Sequence, residues 1–452
     1  MRDSVRAVHG VVRAPRSPDA PSVPAAIREA RPAGWDLLLG CVAVYIATTV
    51  GRVHQLFPVL LPLKPAFLAA LLGVGLYLLQ QSGQRRVHRL RSPTTLCLLG
   101  LLLWAALSVP GALNQGIAFY VVTDLAKAVL MYAVLAGSVR SLRDVERLTL
   151  VYFVVTVLYT AVVLSRFELS GDSWRLNRLY YYDGNDLATL IASALPLGLY
   201  FVLTLRRLVV RGLALVGLVV LAVGEIRSGS RGGFLACLAV VAFVLLRLTT
   251  VPVRARLAGL VVVLVVVSAT SSDKYWTQIQ SIIHPNEDYN TTSDAGRMKT
   301  WERGLGYMVR DPVLGVGAGC FPVAEGTISP LARRQERGIG VRWGAAHNSF
   351  LQVGAELGIP GLLLFIGLIA TACMSLRHVA RRALTASPPA GDMSRLAQSL
   401  MAALVGWTVG AFFLSLAYTD MLYTLVALAV ALAKIARGNV TLSSQRLRPT
   451  RN

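Results

Sequence analysis

The residues of this chain with a capacity for chemistry gather in a few short stretches. IRSGSRGG (226–233) sets Arg227 and Arg231 among small residues. A guanidinium is planar, permanently charged and forms paired charge-assisted bonds, so these arginines suit a phosphate or diphosphate. The plainer reading is a tight helix–helix turn whose arginines reach to lipid headgroups. DAGRMKTWERGLGYMVRDP (294–312) brings Arg297 to the start of an expected helix, where free backbone N–H groups favour an anion, and Arg303 follows within it. Met298, Trp301, Leu305 and Met308 recur at helical spacing, which predicts an amphipathic helix lying on a membrane or capping a bundle. HNSFLQVGAELGIPG (347–361) opens with His347 and Asn348. Histidine exchanges protons near neutrality, and a helix N-terminus favours its neutral form, so His347 suits a base for a sugar hydroxyl. A hydrogen-bonded interfacial histidine is the plainer alternative.

Other polar groups carry weaker signals. LGVGAGCF (314–321) has alternate glycines that allow close backbone approach, but no strand precedes it, so a structural turn is expected rather than a nucleotide loop. Glu356 falls opposite His347 on its helix and is expected to make a buried bond within the bundle, while Gly354 and Gly358 suit close helix contact. Tyr180, Tyr181, Tyr182, Asp183, Asn185 and Asp186 form either an aromatic belt or a sugar-stacking surface; Tyr182 and Asn185 are the candidates for glycan contact. Asp124 and Lys127, three apart, either pair or line a polar path. His284, Glu287 and Asp288 make a poor metal set, and no DxD carboxylate pair occurs in this region.

The elements that must position these groups are apolar helices. The chain has 452 residues, is 55% hydrophobic and carries a net charge of +22. Apolar runs fall at 35–50, 59–80, 95–109, 117–138, 148–164, 186–205, 212–226, 232–246, 256–270, 348–373, 396–416 and 420–436. They predict an all-α polytopic membrane protein of about twelve transmembrane helices, not a barrel of short alternating segments. Loops after even-numbered spans hold arginines, such as Arg85, Arg86 and Arg89, or Arg377, Arg381 and Arg382. By the positive-inside rule these loops and both termini are cytoplasmic, and the basic excess reflects topology rather than nucleic-acid binding.

The organisation expected is a cytoplasmic basic tail at 1–34, transmembrane helices 1–9 over 35–270, a periplasmic loop at 271–347, helices 10–12 over 348–436 and a cytoplasmic tail at 437–452. The first apolar run reads as a retained anchor, because the basic stretch before it is too long for a signal peptide. The five cysteines have neither metal-ligand spacing nor a disulfide framework.

SGSRGG, RMKTWERGLGYMVRDPVLGVGAGCF and HNSFLQVGAELGIPG, in this order around one long loop, resemble the O-antigen ligase family. That superfamily of membrane glycosyltransferases also holds O-antigen polymerases and protein O-oligosaccharyltransferases. The resemblance implies transfer of a saccharide from undecaprenyl diphosphate to an acceptor hydroxyl at the periplasmic face of the bacterial inner membrane, with no cofactor, nucleotide or metal. It implies that Arg231 and Arg297 hold the diphosphate and that His347 is essential, with Arg227, Arg303, Asn185, Tyr182 and Asn348 as further contacts to diphosphate or glycan. One loop bearing both Arg297 and His347 favours a ligase acting on lipid A–core. A polymerase of carrier-linked repeats, a protein-glycosylating enzyme and, from another class, an anion or lipid-saccharide transporter are the alternatives.

Overall fold

The computed structural model describes residues 34–81, 83–166, 174–176, 181–283, 293–294, 296–337, 343–386 and 390–446. The N-terminal tail to residue 33, Tyr180, His284, Glu287 and Asp288 lie outside the described residues.

Each apolar run becomes a helix, because in lipid the backbone must satisfy its own hydrogen bonds. The helices are α1 (Leu37–Thr49), α2 (Val53–Leu56), α3 (Pro65–Leu79), α4 (Pro93–Ser108), α5 (Gln115–Ser138), α6 (Leu142–Arg166), α7 (Gly184–Thr204), α8 (Leu208–Ser228), α9 (Arg231–Arg247) and α10 (Val253–Thr270). Then come the shorter α11 (Asp273–Gln280), α12 (Arg297–Arg310) and α13 (Phe321–Thr327), followed by α14 (Ser349–Thr385), α15 (Gly391–Ala411) and α16 (Asp420–Arg446). Every regular element among the described residues is helical. Eight helical segments are long and apolar enough to cross a bilayer, and α1 and α4 are apolar but shorter.

Local chemistry sets the breaks. The boundary between α8 and α9 is a true one: Gly229 turns left-handed at φ 59° and Ser230 caps α9 by accepting from the Gly233 N–H at 3.0 Å. Asp183 and Asp186 form a reciprocal capping box that starts α7. Several helices outrun their apolar sequence. Helix α6 begins at Leu142 because Asp144, fully buried, is paired with Arg140 at 3.0 Å and Arg147 at 3.1 Å.

Helices α7, α15 and α16 form the centre, while α10 buries none of its side chains and packs mainly along α8 and α9. Close packing of α15 on α7 depends on small residues. A Cβ at Gly410 would lie 2.3 Å from the Thr189 hydroxyl, and one at Gly406 would lie 2.9 Å from the Ala192 carbonyl oxygen.

Side-chain contacts separate two ends of the bundle. At one, Asp36 pairs with Arg85 and Arg140, and Lys434 donates to the carbonyls of Ala136, Gly137 and Val139 that end α5. At the other, Tyr45 bonds Asp420, the Tyr182 hydroxyl donates to the Val50 carbonyl, and the Leu176 N–H donates to the Arg227 carbonyl. The described parts of the stretches around Arg231, Arg297 and His347 sit at this second end.

Candidate functional site

The site is built around the turn that joins α15 to α16, residues 412–416 (FFLSL). Phe413 lies where a Cβ on Gly232, in the first turn of α9, would meet it at 3.0 Å. The Trp301 ring of α12 stacks edge-on against Phe412, with centroids 5.6 Å apart, and tilts against Phe413. The His347 N–H donates to Ser415 Oγ at 2.9 Å. Ser349 Oγ donates to the Leu414 carbonyl and accepts from the Leu416 N–H. One turn thus seats the helices that begin at Arg231 and Arg297, and with them His347, two residues before α14.

His347 itself is held at φ 50°, a left-handed conformation that costs a non-glycine residue energy and is maintained only by its surroundings. Trp301 supplies one constraint by donating its indole N–H to the Ala346 carbonyl at 3.1 Å. Asn348 supplies another: it is buried, and its side-chain oxygen caps α14 by accepting from the Phe350 and Leu351 N–H groups. Arg231 is the first residue of α9, and its guanidinium donates to Ser281 Oγ at 2.8 Å. Arg297 is the first residue of α12, after Gly296.

Helix α12 packs with a different face from the one its apolar residues suggest. Thr300, Gly304 and Tyr307 are buried, while Met298 and Leu305 are exposed. Gly304 is the contact point, since a Cβ there would meet Leu351 of α14 at 2.8 Å. Arg303 turns inward: its Nε donates to both oxygens of Glu325 in α13, at 2.9 and 3.0 Å, and a terminal nitrogen donates to the Asp294 carbonyl at 3.0 Å. The Tyr307 hydroxyl donates to the same carboxylate at 2.8 Å. The bond to Glu325 raises the Arg303 guanidinium pKa further, and burial with that carboxylate pushes the Tyr307 phenol well up. Arg303 therefore fastens α12 to α13.

The alternate glycines form a structural turn. Gly315, Gly317 and Gly319 all have positive φ, and the loop they make closes on Glu356. This fully buried carboxylate accepts from the Gly319 N–H at 2.9 Å, the Phe321 N–H at 3.2 Å and the Tyr418 hydroxyl at 2.8 Å. The group on which this loop closes is a side chain of the protein itself. The other small pair, Gly354 and Gly358, makes close contacts to the loop side rather than to a spanning helix. Gly354 approaches Met308, and Gly358 the backbone of residues 312–313.

The remaining candidates are placed as follows. Tyr182 is buried with its hydroxyl bonded to Val50, whereas Tyr181 is exposed. Asn185 lies in the capped first turn of α7, its N–H bonded to Asp183. Arg227 lies in the last turn of α8, and its carbonyl accepts from the Leu176 N–H. Asp124 and Lys127 pair at 2.8 Å on an exposed face. Sequence reasoning missed Phe413, Ser415, Ser281 and Glu325, none of which is distinctive in type, and Arg52, which resembles any loop arginine. Among the described residues no group of three His, Cys, Asp or Glu side chains is arranged to hold a metal ion.

An all-helical bundle with long apolar spans and a polar cap of short helices defines an all-α polytopic membrane protein. Within it, residues 216–366 match the family model described as O-antigen ligase. The matched stretch contains Arg227, Arg231, Arg297, Arg303, His347 and Asn348 and stops short of Tyr182 and Asn185. No curated protein matches the chain.

Proposed function

We propose that this protein is a glycosyltransferase of the bacterial inner membrane that moves a saccharide from undecaprenyl diphosphate to a hydroxyl of lipid A–core on the periplasmic side. The observation that carries the reading is the convergence of the helix starts at Arg231 and Arg297, and of His347, on the 412–416 turn, all within the segment that matches the O-antigen ligase model.

In this reading Arg231 and Arg297 hold the diphosphate. The acceptor oxygen attacks the anomeric carbon, the bond from that carbon to the phosphate oxygen breaks, and undecaprenyl diphosphate leaves with the electron pair. Fixed guanidinium groups stabilise the charge that develops on the leaving group. His347 takes the acceptor hydroxyl proton, a contribution of roughly 10²–10⁴-fold. A single displacement inverts the anomeric centre. Arg303 and Asn348, engaged with Glu325 and the α14 backbone, serve by fixing the elements that carry Arg297 and His347.

The test combines purified protein, undecaprenyl-diphosphate-linked saccharide and either rough lipopolysaccharide or no second acceptor. Product on lipid A–core is expected. Lengthened carrier-linked chains would reassign the protein as a polymerase, and flux into proteoliposomes with no glycosidic product would make it a transporter. His347→Ala is expected to abolish product while the protein remains folded in the membrane.

A further inference from the structure

Three non-glycine residues among those described adopt left-handed backbone conformations: Arg52, Lys64 and His347. Strain of this kind concentrates at binding and active sites. His347 belongs to the site already described, whereas Arg52 opens α2, well away in sequence. The Arg52 guanidinium carbon lies 3.5 Å from the centre of the Tyr181 ring and 5.7 Å from that of Tyr182. Three neighbouring polar atoms, Arg52 Nε, His54 Nδ1 and Gln55 Oε1, are buried with no hydrogen-bond partner. Such orphaned groups are costly and call for a ligand. Asp420 faces Arg52 as an opposite charge, while its carboxylate also accepts from the Tyr45 hydroxyl at 3.1 Å.

The cluster is continuous with the candidate site. Tyr181 and Tyr182 precede α7, whose first residue, Gly184, packs on the carbonyls of Leu176 and Ser228 beside the Arg231 turn. Asp420 begins the helix that follows the 412–416 turn. Beyond Arg52 the chain continues as PVLLPL (Pro58–Leu63), a helical turn whose Val59, Leu61 and Leu63 are exposed. An apolar ledge next to a cation, an aromatic face and amide and imidazole groups suits a charged sugar whose lipid tails lie in the bilayer.

We propose that Arg52, Tyr181, His54 and Gln55 form a subsite for a phosphate-bearing saccharide headgroup of a membrane lipid, on the acceptor side of the reaction. The proposal rests on the glycosyl-transfer reading and deepens it by giving the acceptor a negative charge. Arg52 takes the phosphate, Tyr181 stacks on a sugar face, and His54 and Gln55 bond hydroxyls.

The experiment uses the full chain in nanodiscs of uncharged lipid. Binding is measured for a bisphosphorylated glucosamine-disaccharide lipid, for the same lipid dephosphorylated, for free glucosamine 6-phosphate and, separately, for undecaprenyl diphosphate. The phosphorylated lipid is expected to bind about tenfold or more tightly than its dephosphorylated form, and Arg52→Gln to remove that preference while undecaprenyl diphosphate binding is kept. Tyr181→Ala, at an exposed ring, is expected to weaken the same lipid alone. Equal binding of the two lipids, or an undiminished preference in both variants, would overturn the subsite. Equally tight binding of free glucosamine 6-phosphate would overturn its assignment to a lipid. Failure of the wild-type protein to bind undecaprenyl diphosphate would count against the donor reading instead.

Discussion

Arg231 and Arg297 occupy equivalent places, each the first residue of a helix, where the positive end of the helix dipole adds to the guanidinium charge. If both clamp the leaving diphosphate, Arg231→Ala or Arg297→Ala should each slow transfer by about 10²–10³-fold, from the loss of one preorganised contact. Arg231→Lys should restore little, because an ammonium cannot make the paired bonds of the fork. Initial rates with purified variants check both, and near-normal transfer by either alanine variant would reject the clamp. The same reading predicts that transfer persists when divalent ions are chelated, which a rate measurement in excess EDTA decides. Glu356 is a residue of another kind, since its three bonds tie the glycine loop and Tyr418 to α14. Glu356→Ala should lower stability by about 2–4 kcal/mol by leaving buried donors unpaired, seen as a lower melting temperature in detergent, with a smaller fall for Glu356→Gln. His347 was legible in the sequence because histidine is rare in this chain. Arg231 and Arg297 were legible by their setting among small residues or at an expected helix start, since arginine itself is common here. Ser415 and Phe413 were not, because a serine and a phenylalanine at the end of an apolar helix look like membrane sequence until the fold brings them to the other helices.

Helix α14 shows how an element can be right in kind and incomplete in detail. Its apolar run was plain, yet the helix runs to Thr385 through Arg377, Arg381 and Arg382, whose side chains are compatible with continued helix beyond the apolar zone. Inside it Gly358 has φ 68°, so the helix is interrupted there, and the Ile359 N–H donates to the Pro312 carbonyl at 2.8 Å. The break lets residues 312–313 enter the helix, and a Cβ on Gly358 would stand 2.4 Å from the Val313 carbonyl oxygen. Gly358→Ala should therefore destabilise by more than about 1 kcal/mol, through strain at positive φ and the clash. Its melting temperature in detergent should fall further than that of Gly306→Ala, where a Cβ meets nothing within 4 Å; equal stability would remove the kink's structural role. The pattern in α12 predicted its helix but left open which face meets the protein. Apolar residues usually mark the buried face, but Met298 and Leu305 are free to face lipid, and the protein contact uses Gly304, whose signal is the absence of a side chain.

At the scale of the whole molecule, the two ends differ in charge as a membrane protein's must. One end is held by arginines and Lys434 on carboxylates and helix-terminal carbonyls. The other collects the polar cap, where Arg303 and Arg334 are matched by Glu325 and Asp294. Unmatched basic loops stay on the cytoplasmic side, whereas balanced segments cross, so the end bearing Arg206, Arg207 and Arg211 should face the cytoplasm. Cysteine labelling tests this directly. Glu302 on α12 is 70% exposed, and Arg207 begins α8 on an exposed turn. The native cysteines contribute little background, because Cys41 and Cys320 are buried and Cys97, Cys237 and Cys373 lie within apolar helices. Glu302→Cys should react with a membrane-impermeant maleimide in intact spheroplasts, and Arg207→Cys only after permeabilisation. The opposite pattern would put Arg231, Arg297 and His347 on the cytoplasmic side and end the reading of a periplasmic transferase. Labelling of both positions without permeabilisation would mean that α8, α9 and α10, which separate them, do not cross as three alternating spans. The charge bias was readable in advance because it depends only on counting residues in loops. The folding of the polar cap was not, because it depends on which buried partner each arginine finds.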